Sequence, residues 1–368
     1  MRLPFLALAS LIFSFAFQAP ALAQLAPKSA APQFQTREQQ WRDDLTKQMT
    51  EAWRKDDFKT LEDIGEDFIN HPGKSYNGKW KLASYTYALS PILVIDWPDE
   101  WNVTAKKCKC KSADPARYAE GNRRWTEVDD KLKAWSKLYP RSLIVPLART
   151  HYAVNRAWFY RGHAYSSNVN PEAWPLFERY INEADATVKA SAGTRFKDPA
   201  WYEEAVSIAV VAGWSASNRN TLYADMIQRA PTYAPAFAEA AAMLEPQWGG
   251  DYQTIDALIK SAQKTMSEKD GLEFYARVYW MYLRDNIPKE VATNWPMIRQ
   301  GLDIMVERYP ERINIDGAAQ LACKFNDKEY FNTMARRLGT SDLYRNIPFE
   351  RLDCNQSDFL PAAARMKL

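Results

Sequence analysis

The chain has 368 residues, 46% of them hydrophobic and 25% charged. That mixture excludes collagen-like, coiled-coil and wholly disordered classes. Lys+Arg 48 against Asp+Glu 45 leaves a formal charge of +3, so composition implies no nucleic-acid partner and no pull toward an anionic membrane. With 14 Trp, only 13 Gly and Ala exceeding Val and Ile together, the bias is toward helix rather than sheet.

The N-terminus reads as an address. Met1-Arg2 is a short basic start, Leu6 to Phe17 is an apolar run, and Ala21 and Ala23 form an A-x-A cleavage site before Gln24. This is the layout of a secretory signal peptide, with an apolar core too short for a permanent span. The expectation is export, to the periplasm first and the extracellular space second. No later segment has the apolar length of a membrane helix, so no stable insertion is expected after signal removal.

Residues 24–36 are rich in Ala, Pro and Gln, lack a period, and read as a flexible leader. Helical spacing then recurs. Trp41, Leu45, Met49, Ala52 and Trp53 share one face, as do Trp125, Val128, Leu132, Trp135 and Leu138. Ile255, Leu258, Ile259, Ala262 and Met266 follow the same spacing, and so do Leu272, Tyr275, Ala276, Tyr279 and Leu283. Phe331, Met334, Ala335 and Leu338 continue it over two turns. Turn signals such as Asn70-His-Pro-Gly73, Asp198-Pro199 and Pro246-Gln-Trp-Gly-Gly250 separate these segments. No alternating apolar and polar run is backed by hairpin turns, so the fold class expected is all-α.

One junction repeats. Pro140, Pro231 and Pro310 each follow a basic or aromatic helix end and precede a further helix, where a missing N–H at the first position costs nothing. This resembles the handover between tetratricopeptide hairpins. The spacing is irregular, which predicts a degenerate tetratricopeptide-like array of antiparallel helical hairpins, an α-solenoid. The organisation expected is a signal peptide over 1–23, a leader over 24–36, an N-terminal helical segment over 37–111, the repeat region over 112–350 and a C-terminal tail over 351–368.

Gly78-Lys-Trp-Lys-Leu82, Arg161-Gly162, Asp198-Pro-Ala-Trp-Tyr202, Leu244-Glu-Pro-Gln-Trp-Gly-Gly-Asp251 and Tyr275-Ala-Arg-Val-Tyr279 together resemble an uncharacterised bacterial domain-of-unknown-function family of exported, tetratricopeptide-like proteins. The resemblance runs loosely from about residue 57 to 340, with Pro-Gln-Trp-Gly-Gly its most specific element. It implies a helical-repeat fold and no established activity, and it carries over no catalytic residue.

Chemistry-bearing motifs are sparse. Gly213-Trp-Ser-Ala-Ser217 approaches a nucleophile elbow but lacks the last Gly and the preceding strand. It reads as a helix end, with Ser217 or Asn218 capping the next helix. Ser261-Ala-Gln-Lys264 matches Ser-x-x-Lys without the partner motifs of the penicillin-binding enzymes. His151 and His163, if helical, are about 120° apart around the axis, and His71 sits in a turn. Glu62-Asp63-Ile-Gly-Glu66-Asp67 lacks calcium-loop geometry and reads as a solvated face. No metal, cofactor or catalytic residue is assigned. In an exported chain Cys323 and Cys354 are expected to pair, close to the free end of the array, while Cys108 and Cys110 form a small loop, bridged or reduced.

The function expected is a scaffold that binds a protein or peptide partner in the groove a solenoid offers. The first helices of the hairpins, starting at Pro140, Pro199, Pro231 and Leu272, carry Asn155, Arg156, Tyr160, Glu203, Glu239 and Arg277 at positions not needed for packing. Their mixed polarity suits an extended peptide, although a solvated face without a ligand accounts for them equally. Trp248 is the best aromatic candidate; it either contacts a ligand or plugs the gap beside Gly249-Gly250. Two other classes stay open: an envelope enzyme without a recognisable motif, and a glycan-binding module using exposed Trp and Tyr.

Overall fold

The computed structural model describes residues 36–93, 115–162, 169–283 and 294–338. These form fourteen α-helices and no β-strand, so the chain is all-α. In chain order they are α1 (Arg37–Arg54), α2 (Phe58–Asn70), α3 (Lys81–Ile92), α4 (Pro115–Leu138), α5 (Ile144–Arg161), α6 (Ala173–Ala190), α7 (Ala200–Val211), α8 (Ala216–Arg229), α9 (Ala234–Met243), α10 (Tyr252–Gln263), α11 (Glu268–Leu283), α12 (Trp295–Arg308), α13 (Arg312–Lys324) and α14 (Lys328–Leu338). Short 3₁₀ turns occupy Ala192–Phe196 and Pro246–Trp248. None of the described helices is long and apolar enough to cross a membrane.

The helices pair as consecutive hairpins: α5 with α6, α7 with α8, α9 with α10, α11 with α12 and α13 with α14. Short connections force each pair antiparallel. The first helices also touch one another in sequence, α5 to α7 to α9 to α11 to α13, and so form a continuous row. Apolar spacing produces this arrangement. Leu45, Met49, Ala52 and Trp53 of α1 are buried together, as are Ile255, Leu258, Ile259 and Ala262 of α10. The helix α9 is buried nearly all round, and its Ala-rich surface lets α7, α10 and α11 close on it. Leu138 departs from its expected apolar face, because it is the last residue of α4 and extends past the core with 65% of its surface exposed.

Helix starts follow local chemistry and lie later than the prolines suggest. Pro140 belongs to a turn; α5 begins where the Ser142 hydroxyl accepts the amides of Ile144 and Val145 at 2.9 and 2.8 Å. Pro231 likewise belongs to a turn, and Pro235 takes the first-turn position of α9. The helix α11 starts at Glu268, ahead of Leu272. Ser215, rather than Ser217 or Asn218, caps α8 by accepting the Asn218 amide at 3.2 Å, and Asp251 caps α10 through the Thr254 amide at 2.7 Å.

The N-terminal helices do not stand apart. The helix α3 packs against α5 and α7, and α1–α3 share one buried cluster with the hairpins. The segment between α2 and α3, closed by an isolated bridge between Lys74 and Trp80, runs across the row of first helices as far as α13.

Candidate functional site

Two stretches of that row carry the polar groups. In the first, α5, α7 and α9 each present ionisable side chains. His151 on α5 has Nε2 3.0 Å from Oε1 of Glu204 on α7. Glu203 stands beside Glu204 and accepts the Tyr233 hydroxyl at 3.2 Å. Glu239 on α9 pairs with Ser207, one turn beyond Glu203. Asp198 caps the start of α7 through the Ala200 amide at 2.9 Å, and its other carboxylate oxygen is buried without a partner.

Enclosing several carboxyls around one imidazole raises the cost of ionising them. Burial, with repulsion from Glu204 and Glu239, pushes Glu203 up to about 8. Burial is also the main cause for Glu239 and Asp198, each pushed up to about 7. Burial disfavours the His151 cation, but the Glu204 carboxylate outweighs it and the net direction is up. The stretch therefore holds protons near neutral pH that a cationic group would displace. Glu203, Glu204, Glu239 and His151 keep part of their surface open to solvent.

In the second stretch the row is covered by the chain itself. The Asn77 carbonyl accepts Nη1 of Arg277 (α11) at 3.2 Å and Nδ2 of Asn314 (α13) at 2.9 Å. The Asn77 amide donates to Glu38 of α1 at 3.1 Å. Arg277 also reaches Glu273 at 3.0 Å, which in turn receives Arg308 at 2.7 Å. Gly78 has φ 79°, and a Cβ there would lie 2.5 Å from both Arg277 and Tyr309. Only glycine combines that backbone with so close an approach. Lys74 is enclosed too, and its amine is lowered to about 7, first by burial and then by Arg277.

The residues expected to line an open groove divide accordingly. Glu203 and Glu239 come together on neighbouring first helices. Asn155, Tyr160 and Arg277 are buried at 5%, 4% and 2% exposure, which corrects the expectation that packing does not need them. Tyr160 stacks on Tyr180 with ring centres 5.6 Å apart and donates to Asn122. Arg156 covers the Tyr180 ring at 4.4 Å. Trp248 is buried in the core, which favours the gap-filling role. Gly249 takes φ 81°, and a Cβ on Gly250 would strike the Leu244 backbone. Glu62 is likewise no solvated residue, since it is buried and accepts the Trp135 indole N–H.

His163, Cys108, Cys110 and Cys354 lie outside the described residues; Cys323 is buried in α13 and is not a free thiol. Among the described residues no group of three or more His, Cys, Asp or Glu is arranged to hold a metal ion. Sequence reasoning did not find His151, Glu204 or Asp198 as a group. Its one available signal was the adjacent pair Glu203-Glu204 in an otherwise apolar helix. No family model, curated protein or solved structure matches the chain.

Proposed function

We propose that the protein is an exported, tetratricopeptide-like scaffold, resident in the periplasm after cleavage of residues 1–23, that binds a protein or peptide partner along its row of first helices. The observation that carries this reading is the grip on Asn77. Side chains from two successive first helices hold one main-chain carbonyl of a segment laid across them, which is how such a row would hold an extended partner. In the neighbouring stretch the same segment reaches the turn before α9, where the Trp80 indole donates to the Thr232 carbonyl at 3.0 Å; beyond it Glu203, Glu204 and Glu239 keep part of their surface open to solvent, so the partner segment carries Lys or Arg. The resemblance to exported helical-repeat proteins agrees with this reading and rests on the quoted motifs alone.

A glycan module using exposed Trp and Tyr is less well supported: no Trp is among the exposed large apolar side chains of the described residues, and the two exposed tyrosines, Tyr76 and Tyr87, each carry a guanidinium over the ring, Arg37 at 5.1 Å and Arg42 at 5.0 Å.

The test is fluorescence anisotropy with labelled Lys-containing, neutral and Glu-containing peptides. The basic peptide should bind more tightly from about pH 6 to about pH 8, as the carboxyls give up protons. Replacing Glu203 and Glu239 by Gln should weaken it by about tenfold, or ~1.4 kcal/mol. Equal binding of all three peptides, or binding indifferent to the double variant, would remove the reading.

A further inference from the structure

A cavity of about 210 Å³ lies where the N-terminal helices meet the hairpins. Phe68 and Trp80 contribute from one side, Arg195 and Phe196 of the 3₁₀ turn with Lys197 just after it from another, and Arg229 at the end of α8 from a third. Its walls hold four aromatic rings and three cationic side chains, and no carboxylate lines it.

The cations are arranged rather than scattered. Phe196 is 57% exposed, and the guanidiniums of Arg195 and Arg229 lie 4.6 and 4.2 Å from its ring centre. Asp225, outside the cavity, fixes both arginines through their Nε atoms at 2.9 and 2.7 Å. One carboxylate thus orients two guanidiniums and neutralises only one charge. Among the described residues, both terminal nitrogens of Arg229 are left without a hydrogen-bond partner, and Lys197 has no ion-pair partner. A ring-lined space edged by excess positive charge favours a ligand with an apolar body and an anionic end. The volume equals about seven waters of liquid, which suits a single aromatic ring with a short acid arm.

We propose that this cavity binds a small organic anion, a carboxylate carried on an aromatic ring. The cavity adjoins the acidic stretch through Tyr233, which lines it and donates to Glu203, and the two would take ligands of opposite charge. The carboxylate would meet Arg229 and Lys197, and the ring would pack against Phe196 and Trp80.

The experiment is calorimetric titration of the mature chain with phenylacetate and with phenethylamine, which keeps the ring and reverses the charge. Saturable binding of phenylacetate alone is expected, weakened about tenfold by the double variant Lys197→Gln with Arg229→Gln. Both substituted side chains are exposed, and an unchanged thermal melt of the variant verifies that the fold is intact. Gly-Gly-Phe with a free C-terminus forms a further arm. Binding tighter than phenylacetate assigns the anion to a polypeptide end, and weaker binding assigns it to a free acid; both support the site. Absence of phenylacetate binding up to about 10 mM, comparable binding of phenethylamine, or indifference to the double variant would overturn it.

Discussion

The guanidinium of Arg277 reaches the carbonyl of Asn77 at 3.2 Å across 200 residues of sequence. The contact ties the segment before α3 to α11, and it is drawn from groups that are both buried. A buried cation held by one carbonyl and one carboxylate is stable only while both partners stay in place.

Arg277→Ala should therefore act as a folding variant. It leaves Glu273 without its buried partner, though Arg308 still reaches that carboxylate. A destabilisation of roughly 3–5 kcal/mol is expected, measured by urea unfolding. A loss below about 1 kcal/mol would mean that the Asn77 segment is not held as described.

Gly78→Ala tests the same segment from the other side. The new Cβ meets Arg277 and Tyr309 at 2.5 Å while the backbone stays at φ 79°. The loss should exceed the ~1 kcal/mol of an ordinary exposed Gly-to-Ala strain. Gly213→Ala is the internal control: φ is also positive, 71°, but nothing lies within 4 Å.

Stability should fall as pH rises from about 5 to about 7. Glu203, Glu239 and Asp198 have folded pKa values raised to about 8, 7 and 7. The folded state therefore keeps protons that the unfolded chain releases near pH 4. More protons bound in the folded state means that unfolding becomes easier as pH rises. His151, also raised, contributes stability that is present below its unfolded pKa and is lost as pH climbs through the folded one. Lys74, lowered to about 7, has the opposite sign and begins to act only near the top of this window. Melting temperatures across the range should decline, and Glu203→Gln with Glu239→Gln should flatten the slope. A rising melting temperature would contradict the burial of these carboxyls.

Cys323 should be found paired with Cys354 in exported protein. Such a bridge would close the C-terminal end of the array and stabilise it by roughly 3–4 kcal/mol on the chain-entropy model. Peptide mapping without reduction decides it; a peptide linking Cys323 to Cys108 or Cys110 would refute the pairing.

The mature N-terminus should be Gln24, following cleavage after Ala23. Edman sequencing of protein recovered from the periplasm provides the measurement, and a mature chain that begins at Met1 would exclude the signal.

By itself the sequence determined the all-α class, most helix faces and the Asp251 cap. Those features depend on interactions over three or four residues, such as the spacing of Leu45, Met49 and Ala52, or the reach of Asp251 to the Thr254 amide. Local turns already defeated part of this reading, because Ser142 starts α5 four residues beyond Pro140. Tertiary structure alone decided which polar residues face each other. His151 and Glu204 lie on different hairpins, and Asn77 meets Arg277 and Asn314 only because the hairpins stack into one row. Periodicity assigns a residue to a face of its own helix. Whether that face meets solvent, another helix or a distant segment depends on how the hairpins pack, a sum of many small side-chain volumes that no local spacing encodes.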